Sequence, residues 1–408
     1  MNVGRRVATV VAVAGFLLCA PTWASAAVQV EVPSAAGHAP LMRGLRPVLG
    51  RLPASAVGHL TAAARERSTA RTNRASTATR RPKGRLSLSP TSLTYHGGHM
   101  KLSWSGSNAK VCTLSSKPRF WSGRNPARVK CRGKLTASLP AVALGVHWTF
   151  TFKAKGANRK TSTVRRTLVL HKPPFPVSSN WSGYIVPSAV PVTSVSGAFT
   201  VPTLDCTKTR DAGEAAWVGT GGAGGTTGDL LQTGVVSDCV GGVQVEDPAW
   251  WEEYPEAPAD LFQTMTVSPG DQIVATVSQN PTDLTWTTRL DDVTTGISGV
   301  MHTGDQWGTV LDSDPTTFVH SEGDASAVTY SGGRTAEWIV EDYGTAGGTL
   351  IPFADFGTVT FSGLTTSLAT WALTADEQIG LGDRTGLLLA APSEPDATGK
   401  GFSVAYTG

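Results

Sequence analysis

Beyond about residue 85 the chain alternates hydrophobic and polar positions in short runs with a period of two, the signature of β-strands with one buried face. Lys101-Leu102-Ser103-Trp104-Ser105 and Gly145-Val146-His147-Trp148-Thr149-Phe150-Thr151-Phe152 are two such runs, and Gly97-Gly98 and Gly156-Ala157-Asn158 are the turns between them. This spacing predicts a small immunoglobulin-like β-sandwich over residues 86–172. His171 to Ser179 is Pro-rich and can continue neither a helix nor a central strand. From 176 to 408 strand and turn patterns continue. Val267-Ser268-Pro269-Gly270-Asp271 divides two alternating runs as a hairpin turn would, and Asp291 to Gly296 divides another pair. No 12-residue window there has a 3.6-residue period with caps, so the expectation is one all-β unit of two packed antiparallel sheets. The segment after Gly363 is expected to supply strands that complete it.

The N-terminal part differs in kind. Arg5 and Arg6, the apolar run Val7–Ala20 and the small residues Ala24-Ser25-Ala26 have the form of a secretory signal over residues 1–26. Residues 27–85 are Ala-, Ser-, Thr- and Arg-rich, with little to bury, and read as a basic flexible propeptide segment. No later run reaches the roughly 18 apolar residues of a membrane-spanning helix. The expectation is a secreted, extracellular monomer with neither membrane nor nucleic-acid partner. Cys19 leaves with the signal. The remaining Cys112, Cys131, Cys206 and Cys239, an even number in an oxidising compartment, favour two disulfides; they permit three pairings, and the local one, Cys112–Cys131 with Cys206–Cys239, keeps each bridge on one side of the Pro-rich boundary.

Composition excludes a coiled coil, a collagen-like chain and a wholly disordered one, with 40% hydrophobic residues, 16% charged, 45 Gly and 25 Pro in 408 residues. The formal charge of +4 conceals a division. Residues 1–175 hold 29 of the 35 Lys and Arg and only Glu31 and Glu66 as acids, a net +27, whereas residues 176–408 carry a net −23.

The acidic half contains no GxSxG, HExxH or Asp-[Thr/Ser]-Gly, and its histidines are His302 and His320, poor material for a nucleophilic triad or a zinc site. Polar groups inside apolar strands are the candidates instead. Alternation puts Leu230, Gln232 and Gly234 on one face of their strand, with Gly234 expected to leave open space beside the amide. It puts Glu337, Ile339 and Glu341 on one face of a second, and Trp250, Glu252 and Tyr254 on one face of a third.

Seven segments in register resemble the glutamic peptidases, or eqolisins. They are Asn180-Trp181-Ser182-Gly183, Val195 to Pro202, Ala216-Trp217-Val218-Gly219, Leu231-Gln232-Thr233-Gly234, Trp250-x-Glu252-x-Tyr254-Pro255, Ala336 to Asp342 and Pro352 to Val359. The chain departs from the family pattern at Thr220-Gly221-Gly222, where an Asp is frequent, and at Glu253, where an aromatic is usual. The resemblance implies a concanavalin-like β-sandwich, a catalytic dyad at Gln232 and Glu337, substrate contacts from Trp217, Trp250, Glu252 and Tyr254, peptide substrates, and neither metal nor cofactor. A Glu with an ordinary value near pH ~4.3 would take a proton from water and return it to the leaving nitrogen, while the Gln amide donates to the oxyanion. The charge division suggests that residues 27 to about 175 act as a propeptide held by electrostatic attraction and released in acid; a cell-wall or polyanion-binding module is the alternative. A lectin using Trp250 and Tyr254 as platforms, or a glycoside hydrolase using Glu252 and Glu337, are the competing functions.

Overall fold

The computed structural model describes residues 80–223, 229–245, 247–254, 257–304, 318–320, 330–344 and 350–408. The expected secretory signal over residues 1–26 and most of the 27–85 segment lie outside the described residues. Almost every described element is a strand; a single 3₁₀ turn, Ala375–Glu377, interrupts them.

The first unit packs a three-stranded sheet against a five-stranded one. Lys83–Ser89, Gly98–Ser107 and Arg132–Leu139 form the smaller sheet. Val111–Lys117, Val146–Lys155 and Thr161–Leu170 are the long strands of the other. Period-two alternation drives inward the apolar members of each strand, among them Leu102, Trp104, Leu114, Trp148, Phe150 and Phe152. Cys112 and Cys131 are disulfide-bonded at the edge of this core.

The second unit is a large, mostly antiparallel surface that curls into two facing layers. One layer runs in the order Ala257–Val267, Asp247–Tyr254, Leu230–Val240, Ala212–Gly221, Gly333–Glu341, Trp181–Val192. The other contains Ser194–Thr200 between Gln272–Gln279 and Thr358–Thr366, with further strands outside each. Gln378–Gly382 pairs with Trp181–Val192 of the first layer and with Leu388–Pro392 of the second, which joins the two. Asp291 to Gly296 makes the expected hairpin. The 268–271 turn differs: Ala257–Val267 pairs within the first layer and Gln272–Gln279 within the second, so this turn carries the chain from one layer to the other. Strand patterns on both sides of it look alike, and pairing partners are nonlocal. Cys206–Cys239 is the second disulfide.

The two units meet through backbone and apolar contacts. Val142 forms a β-bridge with Leu387, flanked by hydrogen bonds from Ala143 N to Gly386 O (3.0 Å) and from Leu388 N to Ala141 O (3.3 Å). Ala141, Ala143, Phe175, Leu388 and Ala391 form a small apolar cluster there, with Tyr95 edge-on to Phe175 at 5.4 Å. Among the described residues the ion pairs are Lys208 with Asp205 and Asp355, and Arg289 with Asp291, all inside the second unit. Opposite net charges therefore meet without a cross-unit ion pair among these residues.

Candidate active site

The central strand of the site is Ala212–Gly221, whose ten residues are all buried because both faces of its layer are covered. Gly219 pairs on one side with Gln232 and on the other with Glu337. Paired residues of antiparallel strands point to the same face. Gln232 and Glu337 thus stand on one face, with their Cα atoms two interstrand steps apart, about 10 Å. The row extends outward to Glu252 beyond Gln232 and to Ile185 beyond Glu337. The adjacent row is Ile339, Trp217, Gly234, Trp250.

All six side chains singled out from the sequence, Trp217, Gln232, Trp250, Glu252, Tyr254 and Glu337, lie on this face. Gly234 does not leave the open space expected beside the amide. A Cβ on Gly234 would lie 2.6 Å from Trp217 Cβ and 2.2 Å from Ala216 O, so that position is filled by its neighbour. A Cβ on Gly219, on the strand between Gln232 and Glu337, would meet the Trp217 ring at 2.9 Å, Leu230 Cδ1 at 3.0 Å and Gln232 Cβ at 3.1 Å, so that position is closely packed too.

Each polar group is held from one side. Gln232 Nε2 donates to Glu252 Oε2 at 2.6 Å, fixing the amide orientation. Thr335, two residues before Glu337 on the same face, donates its hydroxyl to Glu337 Oε1 at 2.8 Å, and Ala223 N donates to the same oxygen at 3.4 Å. Gln232 Oε1 and Glu337 Oε2 are buried and have no hydrogen-bond partner among the described residues. Two unsatisfied oxygens flanking a side-chain-free position is an arrangement that folding alone disfavours, since each costs about 1–3 kcal/mol.

The surroundings are dry. Trp181, Ile185, Trp217, Leu230, Trp250 and Ile339 are buried against one another over this face, with Tyr254 packed on them. Glu337 is 0% exposed and Gln232 4%. Burial pushes the Glu337 carboxyl up to about 8, against the opposing effect of the Thr335 and Ala223 hydrogen bonds. The sequence-based expectation of an ordinary value fails for that reason. Glu341, one row further, accepts from Trp217 Nε1 at 2.8 Å and from Asn180 Nδ2 at 2.9 Å, and burial raises it to about 7. The sequence reading assigns no role to Thr335 or Glu341; a hydroxyl two positions before the candidate Glu337 and an acid four positions after it, on the same strand face, are the signals that point to them.

At Trp250 the ring is only 5% exposed, whereas a sugar-stacking platform needs a bare face. Glu252 and Glu337 are three interstrand steps apart, about 14 Å between backbones, and Glu252 is bound to Gln232. Among the described residues no group of three or more His, Cys, Asp or Glu is placed to hold a metal ion.

Comparison with known proteins identifies relatives of the second unit. Residues 179–378 match the profile of the Peptidase A4 family. Aspergillopepsin-2 from Aspergillus niger is 34% identical over 203 residues, covering 45% of this chain and 63% of that protein, so the match spans less than two thirds of this relative's length. Among solved structures, scytalido-glutamic peptidase with a peptide-based transition-state analog is 25% identical, with a TM-score of 0.38 over 56% of this chain and 99% of that one. SCP-B, a member of the eqolisin family in complex with a tripeptide, is 24% identical, with a TM-score of 0.36 over the same shares.

Proposed function

From the match of residues 179–378 to the Peptidase A4 family, we propose that the chain is a secreted, acid-acting endopeptidase whose reacting groups are Gln232, Glu337 and one water molecule. The observation that carries the proposal is the pair of unsatisfied buried oxygens, Gln232 Oε1 and Glu337 Oε2, on either side of Gly219.

A carboxyl raised to about 8 is neutral throughout the acid range, so it begins the reaction as a proton donor. In this mechanism Glu337 gives its proton to the oxygen of the scissile carbonyl as water, hydrogen-bonded to Gln232 Oε1, attacks the carbon. The water proton passes to the resulting Glu337 carboxylate, which leaves a neutral gem-diol and a neutral Glu337. Glu337 then protonates the amide nitrogen, the C–N bond breaks, and the carboxylate recovers a proton from one hydroxyl. Every proton is returned and no charged group has to enter the dry face from solvent. Gln232 stays neutral at all relevant pH values, and its Nε2 is held by Glu252 so that its oxygen faces the gap. Subsite contacts come from Trp217, Trp250, Glu252 and Tyr254.

Digestion of casein or haemoglobin between pH 3 and 9 tests this. Wild type should act in acid and lose activity as pH rises through about 8, while Gln232→Ala and Glu337→Gln should each lose at least about 10³-fold. Equal activity in wild type and Glu337→Gln, or cleavage of sugar polymers in place of protein, would overturn it. Residues 27–85 complete the proposal as an inhibitory prosegment: their excess of arginine should bind the acidic unit at pH 7 and release it near pH 4, as carboxylates protonate. A 27–85 peptide that binds equally at both values would remove that part.

A further inference from the structure

Residues 80–172 contain twenty Lys and Arg and no Asp or Glu, and none of those cations takes part in an ion pair among the described residues. Such charge is self-repulsive unless an external partner neutralises it. On the three-stranded sheet the cations are arrayed by strand register. Arg85, Ser105 and Arg132 form one outward row, Ser87, Ser103 and Lys134 the next, and Ser89, Lys101 and Thr136 a third. Rows two residues apart are about 7 Å apart along the strands and about 5 Å across them. Four cations and five hydroxyls therefore share one flat face. A shallow depression of about 330 Å³ opens at its third row, with Ser89, His99, Lys101, Thr136 and Ser138 among its walls.

The face excludes several partners by what it lacks. Its aromatic residue, Trp104, is turned into the core, so there is no stacking platform for bases. Among the described residues the large apolar side chains that are exposed, such as Val190, Val243 and Leu284, belong to the second unit and not to this face. The seam residues Ala141, Ala143 and Leu388 are not on this face. Regularly alternating cations and hydroxyls match a polymer that repeats both acids and hydroxyls.

We propose that the outward face of the Lys83–Ser89, Gly98–Ser107 and Arg132–Leu139 sheet binds an acidic polysaccharide. Its anionic groups meet Arg85, Lys101, Arg132 and Lys134, and its sugar hydroxyls meet the intervening Ser and Thr side chains. The apolar seam then holds the second unit against the bound polymer in acid as well as at neutrality.

The test uses the full chain carrying Glu337→Gln to prevent self-digestion, and measures binding to polygalacturonate at pH 5 over 50–200 mM NaCl. Dextran and a DNA duplex of matched charge serve as comparison polymers. We expect binding to polygalacturonate that weakens steeply with salt, and none to dextran. Lys101→Ser/Arg132→Ser/Lys134→Ser should lower affinity by about tenfold, the sum for three exposed charge contacts. Lys117→Ser/Lys153→Ser/Arg165→Ser removes the same charge from the outward face of the other sheet and should change affinity less than about threefold. Absence of salt-sensitive binding, or equal loss in the two triple variants, overturns the site. Tighter binding to the duplex overturns the polysaccharide as occupant.

Discussion

Replacing Glu337 by Gln should make the protein more stable near neutrality and hardly affect it in acid. The wild-type carboxyl is fully buried and raised to about 8, against an ordinary 4.5 in the unfolded chain. Because its folded value is the higher one, the folded state retains the proton longer. The stability this contributes is complete below about pH 4.5 and declines as pH rises towards 8. At pH 6.5 two pH units of that interval have been crossed, which at about 1.4 kcal/mol each amounts to about 3 kcal/mol. Gln has the same shape and does not ionise, and its oxygen can accept the Thr335 hydrogen bond that Glu337 Oε1 now accepts. For a unit of this size 1 kcal/mol moves Tm by roughly 2–4 °C. Thermal unfolding followed by tryptophan fluorescence should then give Glu337→Gln a Tm about 6–12 °C higher at pH 6.5 and within about 2 °C at pH 4. Both proteins should carry Gln232→Ala, so that neither digests itself during the scan. A Tm difference of the same size at both pH values would mean that burial of an ionising group is not its cause.

Glu252→Ala frees the Gln232 amide from its 2.6 Å anchor and should lower kcat about 10–100-fold with less change in KM, because the amide is misoriented and not removed; steady-state kinetics on a short peptide decides. Gly219→Ala puts a methyl 2.9 Å from the Trp217 ring and 3.1 Å from Gln232 Cβ, on the strand between the two candidate groups. It should abolish digestion of casein and destabilise by about 1–3 kcal/mol in urea titration. Asp247, Glu341 and Asp342 are each raised to about 7 by burial, so the same sign holds for these three, while the carboxyls held down by hydrogen bonds, Asp205, Asp283 and Asp396, act only below about pH 4: the urea midpoint should fall from pH 4 to pH 8, and a rise would refute the burial of these groups. Opening the Cys206–Cys239 bridge, which spans 33 residues, should cost about 4 kcal/mol, measured by comparing urea midpoints of the protein with and without that pair replaced by Ala.

Alternation within single strands was enough to say which side chains share a face. That is why Gln232 with Leu230, and Glu337 with Ile339 and Glu341, fall where the pattern predicts. What lies between two strands is a different kind of information. Gly219, Gln232 and Glu337 are far apart in sequence, and only hydrogen-bond register brings them level. Gly234, next to the amide in sequence, was the local guess, and Trp217 fills its space. The Glu337 proton affinity was equally hidden, because it depends on Trp181, Trp217 and Ile339 from three strands closing over the same face. The apolar seam was masked by net charge: 141–143 and 386–388 are short, unremarkable segments, and no composition marks them as partners.

Holding the Gln232 amide and the Glu337 carboxyl on the two neighbours of one common strand has a consequence for how such a site can vary. The gauge between them is set by peptide-to-peptide bonding on either flank of Gly219, so rotamer changes and repacking nearby can tilt each group but cannot widen the track. Only a slip of a whole strand would do so, and a one-residue slip turns the reacting group to the opposite side of the sheet. Substitutions near the pair can therefore reshape the walls, while the separation of the pair behaves as an all-or-none property of the backbone.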